Sequence, residues 1–119
     1  GTIPQIWGVH LSGGARRDSL AKFVVVSPQS PYSGPAGWSG RREGQLVISL
    51  LNEVLDSPLG LDGQRVFLSG ASMGGTGVWD IAAHWPTRFA ALAIVSGEGP
   101  RNTQVNETLV PALRTMPIW

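Results

Sequence analysis

Three short runs of this chain are apolar at successive positions rather than at alternate ones: Phe23-Val24-Val25-Val26-Ser27, Arg65-Val66-Phe67-Leu68-Ser69, and the stretch from Phe89 to Ser96. A strand with one wet face alternates, whereas a strand covered on both faces does not, and strands of the second kind belong to parallel sheets roofed by helices. Helical patterns lie between the runs. From Arg42 to Leu55 the apolar positions Leu46, Val47, Leu50, Leu51, Val54 and Leu55 recur at helical spacing, Asn52, Glu53 and Asp56 take the other side, and Pro58 forbids continuation. A second helix is predicted with its body over Gly77 to Trp85, turning Val78, Ile81 and Ala82 inward, and Pro86 stops it. Strand, helix, strand, helix, strand in this order predicts an α/β fold: a three-layer α/β/α arrangement around a mostly parallel sheet with right-handed crossovers.

The remaining segments read as connections. Ser30 to Gly40 holds two Pro and three Gly among small residues and must be a loop, with Trp38 as its anchor on the domain. Asp62-Gly63 makes a turn. Beyond Gly99 a polar loop is expected to Thr108, then a short helix over Leu109 to Thr115, and Met116-Pro117-Ile118-Trp119 reads as the start of a further strand.

A chain of 119 residues with 42% apolar and 14% charged residues has core material for one domain and not for two. Its formal charge of +1 creates no field that would steer a polyanion, so nucleic acid is not an expected partner; Arg16-Arg17 and Arg41-Arg42 read as solvated loop charges. With no Cys and two distant His, neither a disulfide framework nor a metal site of ordinary coordination number is expected, and no cofactor is called for. No apolar run approaches the roughly 20 residues of a membrane span, and the first residues do not read as a targeting leader. Composition leaves localisation open between cytoplasmic and secreted.

The chemistry is carried by Gly70-Ala71-Ser72-Met73-Gly74-Gly75, a G-x-S-x-G element between the second apolar run and the helix after it. A serine hydroxyl is a weak nucleophile. A tight strand-to-helix turn helps it by lifting the side chain clear of the sheet beside a helix N-terminus, and Gly70, Gly74 and Gly75 are read as the residues that let the elements close around it. The backbone N–H of Met73 is placed to donate to the oxyanion of a tetrahedral intermediate, assisted by the helix end. A turn without chemistry and a phosphate cradle are the alternatives, and the missing Lys after the glycines argues against the cradle.

The sequence from Ser69 to Asp80 (Ser-Gly-Ala-Ser-Met-Gly-Gly-Thr-Gly-Val-Trp-Asp), followed by Trp85-Pro86-Thr87-Arg88-Phe89-Ala90-Ala91, resembles the α/β-hydrolase esterases related to feruloyl esterases, polyhydroxyalkanoate depolymerases and the predicted peptidases of that branch. The likeness extends through Val24-Val25-Val26-Ser27-Pro28-Gln29, Gly37-Trp38-Ser39 and Leu61 to Val66. It implies one incomplete α/β-hydrolase domain over residues 1–119, with 22–119 as the nucleophile-bearing core and 1–21 as a poorly matched N-terminal segment. It further implies a small-molecule ester as substrate and an acyl-enzyme on Ser72. The triad in such enzymes runs Ser, then Asp or Glu, then His, so the acid and the His are expected beyond Trp119. The upstream His-Gly pair that supplies a second oxyanion donor is absent or poorly matched.

Substitutes within the chain are weak candidates. His84 lies twelve residues after Ser72 in the same helix, about 18 Å along the axis, and reads as a helix-end residue. His10, in Val9-His10-Leu11-Ser12-Gly13-Gly14, stands in a faint version of the oxyanion loop, or in an ordinary solvent loop. Asp80 is expected to face away, as a surface or supporting carboxylate. Glu98, just past the third apolar run, is a candidate triad acid. Two functions therefore stand open: a serine hydrolase of carboxylic esters, or a catalytically silent hydrolase-derived fragment serving as a structural or interaction module, with self-association through open sheet edges expected.

Overall fold

A computed structural model of the chain describes residues 23–30, 37–38, 40–99 and 110–119. Its elements in order are helix α1 (Arg41–Leu55), strand β1 (Phe67–Ala71), helix α2 (Met73–His84), a 3-10 turn over Pro86–Arg88, strand β2 (Ala91–Val95) and a second 3-10 turn over Val110–Leu113. The strands pair in parallel, Phe67 opposite Ala91 through Ala71 opposite Val95. Two parallel strands joined through a helix make this a small α/β domain.

Helix α1 begins at Arg41 without a side-chain cap and ends before Ser57 and Pro58. Its buried stripe is Gly44 and Ile48, with Val47 and Leu51 beside it. Leu46, assigned to the inner face by periodicity, is 54% exposed. The stripe is centred on Gly44, because there the Trp85 ring comes so close that a β-carbon would sit 2.7 Å from it. Asn52, Glu53 and Asp56 are exposed as expected, and Asn52 accepts a hydrogen bond from the Arg88 guanidinium, tying α1 to the turn after α2.

Helix α2 lies at the centre. Eight of its twelve residues are buried, among them Val78, Ile81 and Ala82 as expected. It starts at Met73, four residues before the predicted body, because Gly74, Gly75 and Gly77 lower helix propensity without preventing a helix that packing supports. Gly77 admits the Trp38 side chain, whose Cβ would lie 2.4 Å from an added β-carbon; the loop anchor foreseen at Trp38 is thus seated on α2. The core joins Ile48, Val78, Ile81, Ala82, Ala83, Phe89, Leu92 and Leu113, with Leu68 and Ile94 reaching in from the sheet.

Residues 23–27, expected as the first strand, form no strand. Phe23 touches Phe67 edge-on at 6.0 Å, but the run sits outside the ladder, with Phe23 to Val26 between 36% and 50% exposed. Apolar β-branched sequence reports a capacity for burial, whereas a strand also needs a partner's hydrogen bonds, and no described residue supplies them. Phe67 on β1 and Val95 on β2 are 51% and 59% exposed, while Leu68, Leu92 and Ile94 turn to the opposite face of the sheet, where α2 packs and α1 packs on α2. On the far edge of β2 the expected further strand begins: Ile118 bridges Leu92 in parallel, Leu92 N–H donates to the Pro117 carbonyl at 2.9 Å, and Trp119 N–H donates to the Leu92 carbonyl at 3.0 Å. No described helix is long and apolar enough to cross a membrane.

Candidate functional site

One residue, Ser72, connects β1 to α2. To turn from strand to helix in a single step its backbone takes φ 53° and ψ −116°, a region that L-residues enter at a cost of about 1–3 kcal/mol. The conformation is held from three sides. Ser72 N–H donates to the Val95 carbonyl at 2.8 Å, continuing the β1–β2 ladder by one position. The Ser72 carbonyl accepts from Thr76 N–H at 3.1 Å, the first bond of the helix. Gly70 lies so close to the helix start that a β-carbon there would be 2.3 Å from the Gly74 carbonyl oxygen.

The Ser72 side chain is exposed and makes no cap bond to its own helix. In most helices a serine before the first turn spends its hydroxyl on the N–H groups that have no intrahelical partner. Here the Ser72 hydroxyl caps none of them, and among the described residues the N–H groups of Met73 and Gly74 have no other partner. Met73 is half-buried, its sulfur against the backbone of Gly37, where an added β-carbon would lie 2.6 Å from it. Ser30 donates from its hydroxyl to the Gly37 carbonyl at 2.9 Å, which fixes the strip that Met73 rests on.

The glycines of the motif are not equivalent. Gly70 and Gly75 are demanded by close backbone approach, Gly75 because Gly97 passes 2.8 Å from its would-be β-carbon. Among the described residues nothing lies within 4 Å of a β-carbon added at Gly74, so none of them supplies the close approach expected there.

Among the other candidates, His84 ends α2 as foreseen, its Nδ1–H donating to the Asp80 carbonyl at 2.8 Å and its ring tilted on Trp85. A carbonyl only accepts, so this bond places the proton on Nδ1. Glu98 lies three residues past β2, at the same end of the sheet as Ser72. His10 lies outside the described residues. No group of described His, Cys, Asp and Glu has the arrangement of a metal site.

Asp80 departs from expectation. It is 5% exposed rather than on the surface, and its Oδ1 has no hydrogen-bond partner among the described residues. Helical periodicity set it opposite Val78 and Ile81, but α2 is enclosed on nearly all sides and has little outer face. Burial lifts the Asp80 carboxyl above its usual 3.8, and the nearby His84 pulls it partway back. The folded protein therefore holds this proton more tightly than the unfolded chain does. The resulting stabilisation is complete below the unfolded value and is lost as pH rises through the folded one. Asp80→Asn, which never ionises, should be more stable than the parent at pH 7, and the difference should close as urea titrations move to acid pH. An equal gain at both ends of the pH range would contradict the assignment.

The residue that sequence reading passed over is Ser96. It follows β2 directly, is exposed, and shares with Ser72 a φ of 53°. A Ser-Gly pair after an apolar run looks like any turn, and only the strand register sets it beside Ser72.

A curated relative, acetylxylan esterase A of Aspergillus awamori, is 34% identical over 84 residues, 63% of this chain and 27% of that protein. The chain thus spans about a quarter of that relative's length. No family model matches the chain, and no solved structure matches it. The similarity is partial, and it points toward an esterase.

Proposed function

We propose that this chain is the nucleophile-bearing part of a serine hydrolase of carboxylic esters, within an α/β-hydrolase domain of three layers. Ser72 Oγ adds to the ester carbonyl, its proton passing to a general base. The tetrahedral oxyanion is met by the Met73 N–H and the start of α2, the alcohol leaves with a proton, and water then releases the acid from the acyl-enzyme. The single observation behind this reading is the conformation of Ser72: a strained, exposed, uncapped serine held between a parallel strand and a helix start.

Among the described residues the histidine is His84, at the far end of α2, about 18 Å from Ser72 at 1.5 Å per residue. The base and the acid that orients it are therefore assigned to segments outside the described ones, with Glu98 kept as the acid that this chain itself could offer. The similarity to an acetylxylan esterase supports a short acyl group carried on a polyol.

Fluorophosphonates react with activated serines and with few others, so the test is labelling of the full-length gene product followed by peptide mapping. The expected result is one adduct, on the peptide carrying Ser72, that is missing from Ser72→Ala. An unlabelled protein, or label on a different serine, would overturn the proposal.

A further inference from the structure

The register of the sheet sets a second hydroxyl beside the first. Ala71 pairs with Val95, and the Ser72 N–H bond to the Val95 carbonyl carries the ladder one step further. Ser72 and Ser96 are thus the next residues on two neighbouring parallel strands, about 4.8 Å apart in the direction of the ladder. Both are exposed and both have φ 53°. Glycine would hold that backbone without strain, yet at both places the chain carries a side chain with a hydroxyl.

Their relative position is fixed by backbone. Gly97 abuts Gly75 in the first turn of α2, where a β-carbon on Gly97 would lie 2.5 Å from the Gly75 carbonyl carbon and 2.7 Å from its Cα. The turn after β2 is therefore seated on the same helix start that follows Ser72. Neither serine can shift along its strand without moving the other.

We propose that Ser96 is a substrate-contacting residue that hydrogen-bonds a free hydroxyl on the alcohol side of the ester, and so selects esters of polyols over esters of simple alcohols. This rests on the reading of Ser72 as the nucleophile. With a short acyl group on Ser72 there is no polar atom on the acyl side to reach the neighbouring strand. The alcohol of a polyol ester carries hydroxyls one or two carbons from the scissile oxygen, within the span of one strand spacing.

The test compares glycerol monoacetate, which keeps free hydroxyls beside the ester, with p-nitrophenyl acetate, whose leaving group has none, using the full-length gene product. The quantity read is the ratio of the two kcat/KM values. In Ser96→Gly, which keeps the backbone conformation and removes the hydroxyl, the ratio should fall about three- to tenfold, the worth of one uncharged hydrogen bond, mainly through a higher KM for the polyol ester. Ser96→Asn, which tolerates positive φ and restores a donor, should bring the ratio back to within about twofold of the parent. An unchanged ratio in Ser96→Gly, alongside turnover that Ser72→Ala abolishes, would overturn this inference and leave the nucleophile in place. Equal loss on both esters would assign Ser96 a structural role and overturn it as well. Absence of any Ser72-dependent turnover would overturn both.

Discussion

Replacing Ser72 with glycine should abolish ester turnover while making the protein more stable. The two effects have separate causes. Loss of the attacking oxygen removes the covalent route, and in serine hydrolases that costs on the order of 10⁶ in kcat. The backbone at residue 72 stands at φ 53° and ψ −116°, which a side chain occupies at about 1–3 kcal/mol and glycine occupies freely, less about 0.5–1 kcal/mol for the added freedom of glycine in the unfolded chain. A net gain of roughly 1 kcal/mol is therefore expected in denaturant titrations of Ser72→Gly, and a smaller change or none in Ser72→Ala, which keeps a β-carbon. Strain that serves a reaction has this signature, because stability and activity move in opposite directions on its relief. Turnover that survives in Ser72→Gly would sink the nucleophile assignment whatever the stability does.

The sequence reveals where the chain turns better than where it pairs. The bend at Ser72 is legible because glycine and serine in that order, between an apolar run and a helical pattern, have few other conformations. The strands are legible in kind and misplaced in detail. The run expected at Arg65 to Ser69 pairs as Phe67–Ala71, two residues later, since the ladder extends until the chain must turn and not until the apolar residues end. The Phe23 run shows the limit of composition: four apolar residues in a row specify a strand only when a neighbour offers donors and acceptors.

At the site, the strand-to-helix bend at Ser72 was readable and its surroundings were not. Asp80 is buried because α2 is enclosed on nearly every side, a property of the elements around it that its own periodicity cannot carry. Ser96 is set beside Ser72 through the register of two strands offset by 24 residues, Ala71 lying opposite Val95. Short motifs report local turns. Juxtaposition across a sheet is decided by pairing, and nothing in the spelling of either strand encodes the offset.

The glycines around Ser72 give the second large effect, because two that look alike in the motif should respond in opposite ways. A β-carbon on Gly70 would lie 2.3 Å from the Gly74 carbonyl oxygen, 2.4 Å from its carbon and 2.9 Å from the Gly75 nitrogen. All three are backbone atoms at the start of a packed helix, so no flexible side chain can yield. The strand end and the helix start must separate instead, which breaks the Ser72 N–H bond to Val95 that continues the ladder. Overpacking of this kind costs typically 1–3 kcal/mol and more where backbone must move, so Gly70→Ala should lose roughly 3 kcal/mol or fail to fold. No described atom lies within 4 Å of a β-carbon added at Gly74, and in a helix alanine is favoured over glycine by about 0.5–1 kcal/mol. Gly74→Ala should therefore fold with stability equal to or above the parent, as read by urea titration with circular dichroism. The pair separates two explanations of a glycine-rich turn. If flexibility were the requirement, both substitutions would stiffen the turn and harm it alike; if close approach of strand and helix is the requirement, only the first does.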